Sequence, residues 1–251
     1  MMRFFLKQYF SGKSFLFAVV LLYAFLLSAA WEDLNGQTDA LLIFQISTEL
    51  GVAIMLRPIA AALPIAFFLM REWGTGYHSF ALCRSSCGSY AAAKVLSAWL
   101  TGFAVPLASC MLLLLTIAIL SPASIIGLAQ TSVRIFPGLI KNGQATAALF
   151  LYIGAFSLAG AIWSVVIAGL STLTTNGYVL IAAPFLLERV VSYILQFFCR
   201  FEPMLLCFDT SQNYAYRIPN GLMIQFVYSI LLATVVFFVM LWRTKRRLSY
   251  G

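Results

Sequence analysis

Gly12, Lys13 and Ser14 are the residues that most resemble a chemical site, because they match the end of a phosphate-binding loop. That motif also needs a glycine five residues before Gly12, and position 7 is Lys7. The strand that should precede such a loop is missing as well. The sequence therefore predicts no phosphate-binding loop in this chain.

Residues suited to a metal site or a catalytic site are also few in this sequence. The single histidine, His78, excludes a zinc site that uses two histidines. His78, Cys83 and Cys87 offer three ligand types, but their spacing fits no familiar zinc pattern. No nucleophile, base and orienting acid can be assembled from the sequence. We expect no catalytic residue, no metal and no cofactor bound by this chain, and hence no enzyme.

Three charged residues, Arg57, Glu188 and Arg189, lie within long apolar segments. Charges at such positions are expensive in hydrocarbon and are functional candidates for that reason. Counted along their predicted spans, Arg57 lies about 10 Å and Glu188 about 15 Å from the outer ends. These depths permit an ion pair on a transport path or across a dimer interface. The alternative is that an arginine reaches the outer headgroups and Glu188 pairs locally.

The composition predicts an all-α polytopic membrane protein. Of the 251 residues, 62% are apolar and 10% are charged, and the mean hydropathy is +0.94. A span needs about 20 apolar residues to cross about 30 Å of hydrocarbon, so the chain has room for about six spans and no separate soluble domain. We predict one transmembrane domain, 1–251.

Charged residues and turns delimit the spans. Ser121 and Pro122 divide one charge-free run, and the polar segment 171–177 divides another. The predicted transmembrane helices cover about 14–31, 50–70, 95–120, 144–170, 178–198 and 222–242.

The distribution of Lys and Arg predicts that both termini are cytoplasmic, in a plasma (inner) membrane protein. The cytoplasmic set is Arg3, Lys7, Lys13, Arg71, Arg84, Lys94, Arg243, Lys245, Arg246 and Arg247. The outer set is Arg134, Lys141, Arg200 and Arg217. The net charge of +8 is then explained by contact with an anionic membrane surface and requires no nucleic acid.

The N-terminal segment has three interpretations. Aromatic residues alternate with basic ones over 1–13, which is typical of an amphipathic helix in the headgroup plane. A plain positive flank of the first span is the second interpretation. The third is a cleavable signal peptide ending near Ser28-Ala29-Ala30, which would leave five spans and an outer N-terminus.

The polar segment 71–94 has the most specific pattern in the chain. It contains, in order, an acidic residue, a Gly-Thr pair, a short apolar stretch, an arginine, an aromatic residue and a lysine. These are Glu72, Gly74, Thr75, Phe80 to Leu82, Arg84, Tyr90 and Lys94. The segment resembles the first intracellular loop of ABC-2 type transporter permeases, and the chain's length and span number resemble the small stand-alone permeases of peptide antibiotic export and immunity. Cys83 and Ser85 flank Arg84 where the family often has proline.

The resemblance implies a coupling loop that docks in a groove of a separate ATPase subunit. Trp73, Tyr77 and Phe80 would be buried anchors, and Glu72 and Arg84 would form orienting ion pairs. The implied partners are two ATPase subunits, which use ATP and Mg²⁺, a second permease chain, identical or related, and membrane lipid. The whole set of coupling-loop candidates is Glu72, Trp73, Gly74, Thr75, Tyr77, Phe80, Arg84, Tyr90 and Lys94.

The same resemblance, to a type V exporter-like fold, implies re-entrant outer helices within 199–221. Cys199 and Cys207 lie in this predicted outer loop and could form a disulfide, whereas Cys83, Cys87 and Cys110 are expected to be reduced thiols. In the fourth span, the small residues Gly160, Ser164 and Ala168 are spaced for close helix packing within the chain.

The favoured function is ATP-driven export of an amphipathic or hydrophobic substrate, such as a peptide antibiotic, a drug or a lipid-like molecule. Three alternatives remain open. One is an ion-coupled secondary transporter or channel, which usually has several acidic residues in its spans. The others are an intramembrane enzyme and a non-transporting immunity or scaffold protein.

Overall fold

The computed structural model describes residues 2–10, 12–34, 40–49, 53–75, 86–120, 139–140, 142–174, 176–198 and 221–250. These residues form eight α-helices and no strand. The helices are α1 (Met2–Phe10), α2 (Lys13–Leu34), α3 (Ala40–Glu49), α4 (Ala53–Gly74), α5 (Cys87–Leu120), α6 (Ala145–Leu170), α7 (Gly177–Phe198) and α8 (Gly221–Tyr250).

Four segments of the described residues are long and apolar enough to cross a membrane: α2, α5, α6 and Gln225–Arg246 of α8. The predicted all-α class is confirmed, and these apolar helices support a membrane protein. The other two predicted spans coincide with α4 and α7, which contain the charged residues Arg57, Glu188 and Arg189. Helix α4 continues through Pro58 and Pro64, as membrane helices can where neighbouring helices cover the freed backbone groups.

Helix α6 forms the centre of the bundle and packs against α4, α5, α7 and α8. In its most apolar window 78% of residues are buried, against 17% in that of α8. Because other helices surround α6, it needs small side chains on several of its faces. The predicted stripe of Gly160, Ser164 and Ala168 is buried inside the chain, as expected.

Helices α5 and α6 approach each other closely at Gly102 and Gly160. A Cβ atom at Gly160 would lie 2.6 Å from the Gly102 carbonyl oxygen and 2.6 Å from Pro106 Cγ. One turn further, the Ser164 hydroxyl donates a hydrogen bond of 2.7 Å to the Ala61 carbonyl of α4. Small residues therefore let three helices meet at one level of the bundle.

Polar side chains connect the remaining helices. Tyr23 of α2 and Thr116 of α5 share a hydrogen bond of 2.7 Å, and Ser109 of α5 donates to the Val19 carbonyl of α2 at 3.0 Å. Gln225 of α8 donates to the Ala155 carbonyl of α6 at 3.0 Å. In lipid, where apolar surfaces gain little by meeting, such bonds and close packing hold helices together.

Sequence reasoning missed α3, because its ten residues lie between the first and second predicted spans. Phe44 packs edge-to-face on Tyr152 of α6 at 6.3 Å, and Thr48 is hydrogen-bonded to the Tyr152 hydroxyl. A helix this short cannot cross a membrane, so span counting does not detect it. The re-entrant helices predicted within 199–221 fall on residues 199–220, which lie outside the described residues; Gly221 begins α8.

The glycine contact between α5 and α6 makes a testable prediction. Gly160→Ala should lower the stability of the bundle by about 1–3 kcal/mol, because the neighbouring backbone must move to admit the methyl group. Gly154→Ala is the matched control on the same helix, since a Cβ there meets no atom within 4 Å. Thermal unfolding in detergent measures both. Equal effects of the two substitutions would contradict the contact.

Candidate functional site

Helix α4 carries one buried charge near each end, and each charge has a partner on another helix. Arg57 pairs with Glu188 of α7, and Glu72 pairs with Lys94 of α5. The two α4 residues are about 22 Å apart along the helix. Together these pairs fix both ends of α4 within the bundle.

The Arg57 side chain is fully buried, and its Nη2 atom lies 3.3 Å from Oε1 of Glu188. The guanidinium also lies 4.9 Å from the ring centre of Phe156 on the central helix α6. Cation–π contact and ion pairing both offset the cost of burying the guanidinium. The structure thus brings together the two charges whose predicted depths were compatible with pairing.

Arg189 lies on a different face of α7. Successive residues of a helix point about 100° apart, so Glu188 faces α4 while Arg189 faces outward. The Arg189 side chain is exposed, and its guanidinium lies 5.9 Å from the ring centre of Phe185. Arg189 is therefore not part of the buried pair.

At the other end of α4, Glu72, Tyr90 and Lys94 form a buried polar network. Lys94 Nζ lies 2.7 Å from Glu72 Oε2 and donates a hydrogen bond of 2.8 Å to the Tyr90 hydroxyl. The Tyr90 hydroxyl in turn donates to Glu72 Oε1. All three residues are at most 3% exposed, so the charges are compensated within the bundle and not by solvent.

Helix α1 covers this network. The rings of Phe5 and Tyr9 are buried against Phe68 of α4, with centres 5.9 and 4.7 Å away, and Phe5 lies 5.9 Å from Tyr90. Burial, and then the negative charge of Glu72, raises the pKa of the Tyr9 phenol well above its usual value. The aromatic face of α1 thus packs on protein, while Lys7 is exposed.

The start of α5 explains why Tyr90 and Lys94 reach Glu72. The Ser86 hydroxyl accepts a hydrogen bond of 3.2 Å from the Ser89 amide, which is the geometry of a helix N-cap. The helix therefore begins at Cys87, eight residues before the predicted span, and carries Tyr90 and Lys94 on its face toward α4. Serine at position 86 was a signal for this start that span counting did not use.

The other predicted coupling residues divide into two groups. Trp73 and Gly74 end α4, and the Thr75 hydroxyl donates to the Arg71 carbonyl at 2.8 Å. Tyr77, Phe80 and Arg84 lie outside the described residues. The same holds for Cys199 and Cys207, whose pairing remains a prediction. Cys87 and Cys110 are free thiols.

Comparison with known proteins adds no relative to this geometry. No family model matches the chain, and neither curated proteins nor solved structures give a match. The resemblance of segment 71–94 to a permease loop therefore remains a hypothesis. The two buried ion pairs are the features on which a functional proposal can be built.

The Arg57–Glu188 contact makes a double-mutant prediction. Arg57→Leu and Glu188→Gln should each lower stability by about 3 kcal/mol, because each leaves a buried group without its partner. The double variant should lose much less than the sum of the two. Arg189→Leu, one residue along α7, removes an exposed charge outside the pair; it is the matched control and should cause no comparable loss. Unfolding in lipid nanodiscs measures all four, and additive losses would contradict a direct pair.

Proposed function

We propose that this chain is an ABC-2 type permease subunit, which forms the membrane path of an ATP-driven exporter. The observation that carries the proposal is the Glu72–Tyr90–Lys94 network. It joins the last turn of α4 to the first turns of α5, at the base of the segment that resembles a coupling loop.

This junction suits mechanical coupling. The network ties the end of α4 to the start of α5, so a force on the twelve residues between Gly74 and Cys87 acts on both helices together. Because the carboxylate of Glu72 is engaged with Lys94 and Tyr90, we assign it to holding the base of the loop. Contact with an ATPase then falls to Trp73, Tyr77, Phe80 and Arg84.

The proposed topology has six spans with both termini in the cytoplasm. Helices α4 and α7 are each 22 residues long, or about 33 Å, which is sufficient to cross about 30 Å of hydrocarbon. Pairing of Arg57 with Glu188 reduces the cost of their charges there. Helix α5, with 34 residues, is about 51 Å long and extends beyond the hydrocarbon at its cytoplasmic end.

The proposed exporter is a dimer of permease chains with two ATPase subunits. An exposed guanidinium at Arg189, on the same outward side of α7 as Leu186 and Tyr193, would be expensive against lipid. Cover by a second permease chain, identical or related, removes that cost. ATP and Mg²⁺ would be bound by the ATPases. The described spans have mostly apolar surfaces, which favours an amphipathic or hydrophobic substrate such as a peptide antibiotic, a drug or a lipid-like molecule.

The Arg57–Glu188 pair favours a second candidate, an ion-coupled secondary transporter. A buried carboxylate that changes partner can couple proton movement to a conformational change. Such a transporter would work without an ATP-hydrolysing partner. Whether an ATP-hydrolysing protein binds at the loop therefore distinguishes the exporter from the ion-coupled transporter.

The proposal is tested by placing a photo-activated cross-linking residue at Phe80 in the full chain, in membranes of the native host. We expect capture of a protein whose peptides contain both nucleotide-binding motifs. The matched position is Gln144, which is exposed at the start of α6 on the opposite side of the proposed membrane. In the chain without cross-linker, Tyr77→Ala should lower ATPase co-purification at least about tenfold, as for a central interface anchor.

Several outcomes of this experiment would count against the docking loop. Equal capture from Phe80 and Gln144, or co-purification unchanged by Tyr77→Ala, would refute a docking loop. Capture of no ATPase from Phe80, with a correctly inserted chain, would favour the ion-coupled transporter.

A further inference from the structure

A groove of about 450 Å³ opens on the outside of the bundle between α5 and α8. Trp99 of α5 and Phe226, Ile230 and Phe237 of α8 form much of its wall. From Phe226 to Phe237 the groove is about 16 Å long. Both helices contain candidate membrane spans, so we expect the groove to face the hydrocarbon.

The polar groups at the groove already have hydrogen-bond partners. Trp99 Nε1 donates to the Ser229 hydroxyl at 3.4 Å, and the Thr234 hydroxyl donates to the Ile230 carbonyl at 2.8 Å. An occupant therefore meets hydrocarbon and aromatic surface. A polar ligand would leave its own groups unpaired here, whereas an acyl chain has none to satisfy.

The wall is also unlike the surface that binds another transmembrane helix. Helix interfaces in membranes are rich in small residues that let backbones approach closely. Here the Trp99 ring stacks on the Phe103 ring, with ring centres 5.7 Å apart, and its centre lies 6.4 Å from that of the Phe226 ring. Large rings therefore project along one side of the groove. A thin, flexible chain fits between such rings better than a rigid helix of about 10 Å diameter.

Basic residues lie on α8 just beyond the groove. Arg243, Lys245 and Arg246 follow Phe237 by about 9 to 14 Å along the helix, and Lys245 and Arg246 are exposed. The guanidiniums of Arg243 and Arg246 each lie 5.5 Å from the ring centre of Trp242. Tryptophan beside basic residues is typical of the membrane–water interface, where anionic headgroups lie.

We propose that the groove and this basic end of α8 together bind one anionic phospholipid. Its acyl chain would lie along Trp99, Ile230 and Phe237, and its headgroup phosphate would lie among Arg243, Lys245 and Arg246. The proposal does not depend on the exporter function, because the basic end of α8 meets a membrane surface in either orientation of the chain.

The test is quenching of Trp99 fluorescence by phospholipids with brominated acyl chains, added to the purified full chain in detergent. The signal of Trp99 is the difference between the unmodified chain and Trp99→Phe. We expect brominated phosphatidylglycerol to quench it at lower concentration than brominated phosphatidylcholine. Ala92→Phe and Ala233→Leu, which place bulk in the groove, should prevent the quenching. Ala147→Leu, at an exposed site on α6, should not.

Charge variants provide a second arm that leaves the groove intact. Lys245→Gln and Arg246→Gln should each reduce the preference for phosphatidylglycerol about fivefold, as expected for one basic residue near an anionic surface. Arg71→Gln, an exposed charge at the end of α4, is the control and should not change it.

Two results would overturn the proposal. One is equal quenching by the two lipids, or a preference that the charge variants do not change. The other is disulfide cross-linking of Ile230→Cys to the same position of a second chain in native membranes, which would make the groove an interface between copies.

Discussion

A charge inside a protein bundle in lipid must be paired, and in this structure that requirement is concentrated on α4. Its two buried charges have opposite signs and lie near opposite ends of the helix, and each partner comes from a different neighbour. Removing one member of such a pair costs about 3–5 kcal/mol, which is a large part of the stability of a domain. The positions of α5 and α7 relative to α4 therefore depend on these two pairs.

The close packing around α6 works together with this pairing. Gly102, Gly160 and Ser164 bring α4, α5 and α6 together at one level, so that α4 has little freedom to slide. The aromatic face of α1 then closes the bundle over Glu72 and Lys94. If the loop after α4 meets an ATPase, movement there would have to displace a tightly packed junction, and this is the property that a coupling element needs.

The sequence predicted the helical class and most helix positions, because apolar composition and charge spacing directly reflect the demands of a bilayer. Helix α5 begins eight residues before the predicted third span, and Lys94, just before that span, is buried and paired with Glu72. Sequence reasoning also missed α3, whose ten residues are too few for a span. Depth along two helices indicated that Arg57 could meet Glu188, but it did not specify which faces of α4 and α7 meet.

The sequence places Glu72, Tyr90 and Lys94 in one predicted loop, whereas the structure shows that their three side chains contact one another. Their order along the chain carried the resemblance to a permease loop, yet nothing in that order specified that the three side chains turn inward. That depends on which face of α5 is turned toward α4, and the order of residues alone does not specify it.

The most direct test of a cytoplasmic coupling loop is sided labelling with a membrane-impermeant maleimide, in a full chain whose native cysteines are replaced. A cysteine at Ser79, between α4 and α5, should react only after the cells are permeabilised. A cysteine at Ser211, between α7 and α8, should react in intact cells. Labelling of position 79 in intact cells would contradict the proposed orientation and, with it, docking of an ATPase at this loop.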